Sequence, residues 1–187
     1  AKPNTYGKSY ACFTDFFRLR LLSVRPGTWW FDTDVFCISD AKKFKELEHS
    51  SAKKTICGHQ DPPESSVLNA CNAILWFGNK RFARDTFDNL VKSYPPFEKH
   101  AWKWAQTAIP YLNDVIQRYP EKFNVQNRQV FYPLSWHLHE ISIFILPDNA
   151  DEARRHCNGS LTLHFWNEIF RRLDLSRNQV PTEGCFL

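Results

Sequence analysis

The feature that most constrains this chain is a pair of carboxylates set between two apolar runs. Asp32 and Asp34 follow Trp29-Trp30-Phe31 and precede Val35-Phe36-Cys37-Ile38. Aromatic and β-branched runs predict strands, so the acids lie where a strand ends. Two like charges are costly to bury without a cation, and strand residues two apart share a face. The spacing therefore indicates a site for one hard divalent cation that also holds a diphosphate; the alternative is a solvated turn.

Strand-like and helix-like segments alternate along the rest of the chain. Helical spacing or charge marks residues 10–25, 40–49, 79–93, 99–118 and 166–173. Apolar, strand-like runs mark residues 28–31, 35–38, 53–58 and 73–77. This alternation predicts an α/β fold. Because no repeat or linker interrupts the pattern, we expect a single domain over residues 1–187.

The first predicted helix carries both an apolar stripe and a charged pair. Its apolar residues at helical spacing, expected to face the core, are Phe13, Phe16, Phe17, Leu21 and Val24. Asp15 and Arg18 are three residues apart, so they lie on one edge of the helix. They predict either an ordinary surface ion pair or a pair that orients a sugar hydroxyl and a phosphate.

Composition and missing motifs exclude several classes of protein. The net charge of +4 comes from basic and acidic residues scattered without long runs, which argues against nucleic-acid binding. No P-loop, dinucleotide fingerprint, serine-hydrolase elbow or zinc spacing is present. The chain has no Met, so we expect that further sequence precedes it. Of its six cysteines, Cys12, Cys37 and Cys71 lie in apolar segments and are predicted to be buried thiols.

Five short motifs follow one another between residues 13 and 168, and each occurs once. They are Thr14-Asp15-Phe16-Phe17-Arg18, Pro26-Gly27-Thr28-Trp29-Trp30-Phe31-Asp32-Thr33-Asp34, Asn69-Ala70-Cys71-Asn72-Ala73-Ile74-Leu75, Phe131-Tyr132-Pro133-Leu134 and His164-Phe165-Trp166-Asn167-Glu168. Together they resemble glycosyltransferases with a DXD sugar-binding motif, in the branch similar to α-1,4-galactosyltransferase (globotriaosylceramide synthase) and its bacterial relatives. The T-G-P stretch of that family corresponds here to Thr107-Ala108-Ile109-Pro110, a departure that leaves the acceptor site unassigned.

The resemblance implies a fold and an activity. The fold would be GT-A-like, an α/β structure with a mixed, mostly parallel sheet flanked by helices. Since only about a dozen residues precede the first motif, its N-terminal nucleotide-binding portion would be incomplete. The activity would be a metal-dependent, retaining hexosyltransferase that takes a hexose from a nucleotide sugar, a UDP-sugar, in polysaccharide biosynthesis. Its partners would be the donor and a glycan or glycolipid acceptor, with peripheral membrane association.

The resemblance also implies roles for individual residues. Asp32 and Asp34 would be the catalytic pair and, with His164, the ligands of Mn²⁺ or Mg²⁺. The residues implied to bind the donor sugar and nucleotide are Asp15, Arg18 and Asn72. From its sequence alone, His164 could equally be a hydrogen-bonded core histidine.

Two other functions and two locations stay open from the sequence. The chain could be a non-catalytic nucleotide-sugar or carbohydrate-binding module on the same scaffold, or a toxin-like enzyme that glucosylates proteins. We expect a bacterial cytoplasmic protein at the inner face of the membrane, the alternative being the Golgi lumen. Disulfides would favour the lumen and free thiols the cytoplasm.

Overall fold

Helices and strands alternate in the computed structural model, which describes residues 11–61, 67–94, 106–137, 140–141, 143 and 147–167. The helices are α1 (Ala11–Val24), α2 (Ala41–Ser50), α3 (Lys80–Ser93), α4 (Ile109–Arg118), α5 (Arg128–Phe131) and α6 (Ala150–Cys157). The strands are β1 (Trp29–Phe31), β2 (Val35–Cys37), β3 (Thr55–His59), β4 (Ala70–Phe77), β5 (Phe123–Gln126) and β6 (Thr162–His164). The predicted α/β class is confirmed.

The main sheet has the strand order β1-β4-β3-β5. β4 pairs antiparallel with both β1 and β3, while β3 and β5 are parallel. The expectation of a mostly parallel sheet is therefore wrong for the strands described. Parallel neighbours need a crossover of about a dozen residues or more, which β3 and β5 have in the segment that contains β4, α3 and α4; β3 and β4 are joined by a short connection and are antiparallel.

β4 lies in the middle of the core and is buried on both faces. Its side chains alternate, so Leu75 and Phe77 pack on one side of the sheet and Ile74 and Trp76 on the other. The first side is covered by α1, α3 and α4, the second by α2 and the segment around α5. This two-sided burial explains why the strand reads as a nearly continuous apolar run.

A second, two-stranded sheet joins distant parts of the chain. β2 pairs antiparallel with β6, and the register places Val35 opposite His164. The end of β6 therefore lies beside the turn that carries Asp32 and Asp34. Of the predicted helix over 166–173, the structure describes only residues 166 and 167; residues 168–173 lie outside the described part of the chain.

Two sequence predictions about burial are corrected. In α1, Phe16 is buried as predicted, but Phe13, Phe17, Val24 and Leu21 are 51%, 48%, 46% and 36% exposed, because the helix turns a polar edge inward. Asp15 and Arg18 are buried instead, with partners described below. Cys37 is exposed because it belongs to a short strand of the small sheet, whereas Cys12 and Cys71 are buried as predicted. Cys185 lies outside the residues described.

Long apolar helices are absent from the part of the chain that the structure covers. None of the described helices has the length and hydropathy needed to cross a bilayer.

Candidate functional site

The two motif carboxylates lie in a tight turn between β1 and β2. The backbone N–H of Val35 donates to the carbonyl of Asp32 at 3.0 Å, which closes a four-residue turn. The N–H of Asp32 itself donates to the carbonyl of Ala73 at 2.9 Å and ties the turn to β4. Because these residues are in a turn and not in a strand, the alternation expected from the sequence does not apply. The two carboxylates contact different elements.

Asp32 faces α1. Its Oδ1 accepts a hydrogen bond from Nη2 of Arg18 at 2.7 Å and another from Nε1 of Trp30 at 2.6 Å. The Arg18 guanidinium also lies 5.2 Å from the centroid of a Trp30 ring, within range of a cation–π interaction. Burial raises the pKa of Asp32, against the lowering effect of Arg18 and of the Trp30 indole. Among the described residues, both donors to this carboxylate meet Oδ1 and none meets Oδ2.

A polar network extends from Arg18 into the core. Nη1 of Arg18 donates to the carbonyl of Asn72 at 2.7 Å, and Nη1 lies 3.8 Å from Oδ1 of Asp15. Asp15 in turn accepts from Nδ2 of Asn72 at 3.1 Å and from the hydroxyl of Thr107 at 2.8 Å. Burial raises the pKa of Asp15 to about 6, although its three polar neighbours each act to lower it. One guanidinium is therefore shared by two carboxylates.

Asp34 faces β6. Its Oδ1 lies 3.2 Å from Nε2 of His164, and its Oδ2 accepts from the backbone N–H of Asn167 at 2.9 Å. The carbonyl of Asp34 accepts from the N–H of Phe165, so this end of the turn is held by three successive contacts. Burial acts to raise the pKa of Asp34, but the hydrogen bond and charge of His164, with the Asn167 N–H, hold it below its usual value.

Trp166 has a backbone conformation that brings Asn167 to this carboxylate. Its φ is +51°, a region in which a bulky side chain is strained. The indole donates to the carbonyl of Leu134 at 3.1 Å, and its ring centroid lies 4.0 Å from that of His164. Packing and this hydrogen bond hold the left-handed turn that directs the next N–H at Asp34.

The residues predicted from the sequence thus form two adjoining groups. One contains Asp15, Arg18, Asn72 and Asp32; the other contains Asp34 and His164. Within the described ranges, no three His, Cys, Asp or Glu side chains are grouped as a metal cluster. His164 also has a buried Nδ1 without a hydrogen-bond partner among these residues. The assigned roles of all six residues stay predictions.

Sequence reasoning did not assign a role to three groups that touch these residues. Thr107 binds Asp15 from a position 92 residues later in the chain. The Trp30 indole and the Asn167 backbone N–H contact the motif acids directly. Trp30 and Asn167 belong to the quoted motifs, so their closeness to the site could have been suspected. Nothing in the sequence indicates that Thr107 reaches the first helix.

Comparisons with known proteins find similarity among solved structures and none in sequence. Neither a protein-family model nor a curated protein sequence matches this chain. In fold, the chain is similar to the crystal structure of a glycosyltransferase involved in the glycosylation of the major capsid of PBCV-1. The identity is 12%, the match covers 88% of this chain and 76% of that chain, and the TM-score is 0.47. A likeness of this size identifies no activity, so the function is inferred from the side chains.

Proposed function

We propose that this protein is a metal-dependent, retaining glycosyltransferase that moves a hexose from a UDP-sugar to a glycan or glycolipid acceptor. The observation that carries the proposal is the meeting of the motif turn with β6. Asp34 and His164 are 130 residues apart in sequence and 3.2 Å apart in space. Asp32 lies two residues away on the same turn, with one carboxylate oxygen free of donors among the described residues.

The donor chemistry of these side chains fits a hard divalent cation. Two carboxylates and one imidazole suit Mn²⁺, and carboxylates suit Mg²⁺. Asp32, Asp34 and His164 are the residues that would hold the ion together with the donor diphosphate. When bound, such an ion neutralises the negative charge that develops on a departing diphosphate.

The chain's own residues keep this site ready to bind. The lowered pKa of Asp34 means that its carboxylate is charged at neutral pH. The Asn167 N–H fixes Oδ2 of Asp34, and Arg18 with Trp30 fixes Oδ1 of Asp32. Both carboxylates are therefore oriented by the protein before any ligand arrives, which reduces the entropy lost on binding.

Thermal unfolding with UDP, with and without Mn²⁺, tests the proposal. Ligand at about 100 times its Kd adds about 2.7 kcal/mol, and each kcal/mol raises the midpoint of a domain this size by roughly 2–4 °C. Asp34→Asn should abolish the Mn²⁺-dependent rise. Asp40→Asn is the matched control, because Asp40 is an exposed N-cap that accepts from the Lys42 N–H and Asn caps equally well. Loss of the rise in both variants, or no rise in the parent protein, would contradict the proposed site.

Turnover separates an enzyme from a binding module. A panel of UDP-hexoses with Mn²⁺ and glycan or glycolipid acceptors should release UDP as the hexose forms a glycosidic bond to an acceptor hydroxyl, and NMR of the anomeric proton in that glycoside should show retained configuration. Binding of UDP without release of hexose from any member of the panel would favour the non-catalytic module. An inverted product would contradict the retaining assignment while leaving the metal site intact.

A further inference from the structure

Four hydrogen bonds, one buried and three partly buried, connect the start of α4 to the Asp32 carboxylate. Thr107, just before α4, donates to Oδ2 of Asp15 at 2.8 Å, and Asn72 donates to Oδ1 at 3.1 Å. Arg18 then donates from Nη1 to the Asn72 carbonyl and from Nη2 to Asp32, both at 2.7 Å. The chain of contacts crosses from α4 to α1, then to β4 and the motif turn.

The surroundings of Asp15 are too small for a sugar. Asp15 and Arg18 are 5% and 4% exposed. The pocket that these two residues line with Thr107 and Asn72 has a volume of about 10 Å³, the space of a single water molecule. Each carboxylate oxygen of Asp15 already accepts a hydrogen bond from the protein. This arrangement supports a neighbouring group and does not present a surface to a hexose.

We propose that Thr107 and Asp15 are positioning residues, which hold the Arg18 guanidinium and through it the Asp32 carboxylate. The inference rests on the proposed function in one respect, that Asp32 belongs to the donor site. An arginine side chain has several rotatable bonds, and its planar fork is useful only when it is held in one orientation. Here the Asn72 carbonyl and the Asp15 charge hold one side of the fork, so the other side points at Asp32. The Thr107 hydroxyl fixes the Asp15 carboxylate in turn.

Closely matched substitutions at Thr107 test whether its hydroxyl acts, through Asp15 and Arg18, on the Asp32 carboxylate. Thr107→Val keeps the shape and removes the donor, Thr107→Ser keeps the donor, and Thr86→Val is the control. Thr86 is a buried threonine lining the same pocket, but its hydroxyl donates to the Phe82 carbonyl within α3. We expect Thr107→Val to weaken binding of UDP with Mn²⁺ about tenfold, as for loss of a hydrogen bond to a charged group. Thr107→Ser should restore binding, and Thr86→Val should leave it unchanged.

A second measurement examines the link without any ligand. In ¹⁵N NMR spectra, exchange with water of the Arg18 guanidinium protons and the Trp30 indole proton reports how firmly both groups hold Asp32. Thr107→Val should speed this exchange about tenfold, and Thr86→Val should not. If Thr107→Val does not fold, Asp15→Asn tests the same link.

The two measurements separate failure of this inference from failure of the proposed function. Unchanged exchange in Thr107→Val would overturn the positioning role, whatever the protein binds. Equal loss of UDP binding in Thr107→Val and Thr86→Val would also overturn it, because the effect would be one of general stability. If the parent protein does not bind UDP with Mn²⁺, the proposed function fails, and the exchange measurement alone decides whether Thr107 and Asp15 position Arg18.

Discussion

Asp32 and Asp34 are two residues apart in the same turn, yet the protein treats them in opposite ways. Asp32 is paired with the buried Arg18, which it shares with Asp15, and burial raises its pKa. Asp34 is paired with His164 and a backbone N–H, and these contacts lower its pKa despite burial. The same residue type in the same motif therefore has a different protonation energy on each side of the turn.

The difference shows that partners and not sequence spacing decide the charge of a carboxylate. On the Asp32 side, one cation must serve two acids, so part of the desolvation cost of burial is left uncompensated. On the Asp34 side, one acid has two donors to itself. Removing the shared cation should accordingly have a larger effect than removing one of the two partners of the Asp34 carboxylate.

The largest effect is expected from Arg18→Met. This change keeps a long side chain but leaves Asp15 and Asp32 buried without their cation, and we expect a loss of about 3–5 kcal/mol in the free energy of unfolding. Urea denaturation at pH 7 measures it. Arg118→Met is the control, since Arg118 pairs with Asp114 on the surface and its loss should cost about 1 kcal/mol or less. Similar losses in the two variants would mean that the Arg18 pair is worth no more than a surface pair.

A smaller effect is expected from pH through Asp15. Its pKa of about 6 when folded lies above the ordinary value of 3.8, so the folded state binds the proton more readily. Stability should therefore fall as pH rises from about 4 to about 6, by about 3 kcal/mol. Urea denaturation at several pH values across this range measures the fall, and Asp15→Asn should reduce the slope of the free energy of unfolding against pH.

Asp34→Asn should act in a different pH window. Because its folded pKa is lowered, Asp34 contributes stability above its ordinary value of 3.8 that is lost as pH falls further. Asp34→Asn should therefore alter the pH dependence only below about pH 4. If the free energy of unfolding of Asp15→Asn kept the parent slope between pH 4 and 6, the proposed difference in pKa between the Asp15 and Asp34 sides of the site would be contradicted.

The smallest effect is expected from His164→Gln. The change removes the imidazole next to Asp34 but leaves the Asn167 N–H, and we expect a loss of about 2 kcal/mol, as for one hydrogen bond to a charged carboxylate. Urea denaturation at pH 6 measures it. His156→Gln is matched to it, because His156 lies 3.7 Å from Glu152 on an exposed helix surface and should contribute little. A loss of stability in His164→Gln as large as in Arg18→Met would contradict the inference that the Asp32 side depends more strongly on its cation than the Asp34 side depends on His164.

Local patterns in the sequence predicted most of the fold's parts. The apolar runs around Asp32 and Asp34 gave β1 and β2, and the periodicity of residues 79–93 gave α3. These predictions succeed because strand and helix spacing reflect burial within a few residues. β5 was not predicted, since its four residues, Phe-Asn-Val-Gln, are short and half polar, and their pairing with β3 is set by the sheet.

The first helix shows where local patterns stop being sufficient. Phe13 and Phe17 have the spacing of a core stripe, but the helix buries Asp15 and Arg18. That orientation depends on partners far along the chain, the Asn72 carbonyl and the Thr107 hydroxyl, which helical periodicity cannot detect. Four compensating hydrogen bonds are needed before the charged edge can be turned inward.

By itself, the sequence determined the alternation of strands and helices and the two acids at the end of a strand, because both follow from short-range spacing. Only the tertiary structure decided that the motif is a turn, that Asp32 shares Arg18 with Asp15, and that Asp34 meets His164. The contacts of Arg18 with Asp32 and of Asp34 with His164 join residues 14 and 130 positions apart. Their geometry is set by how the sheets and helices pack, and so the energy of each carboxylate is a property of the folded molecule.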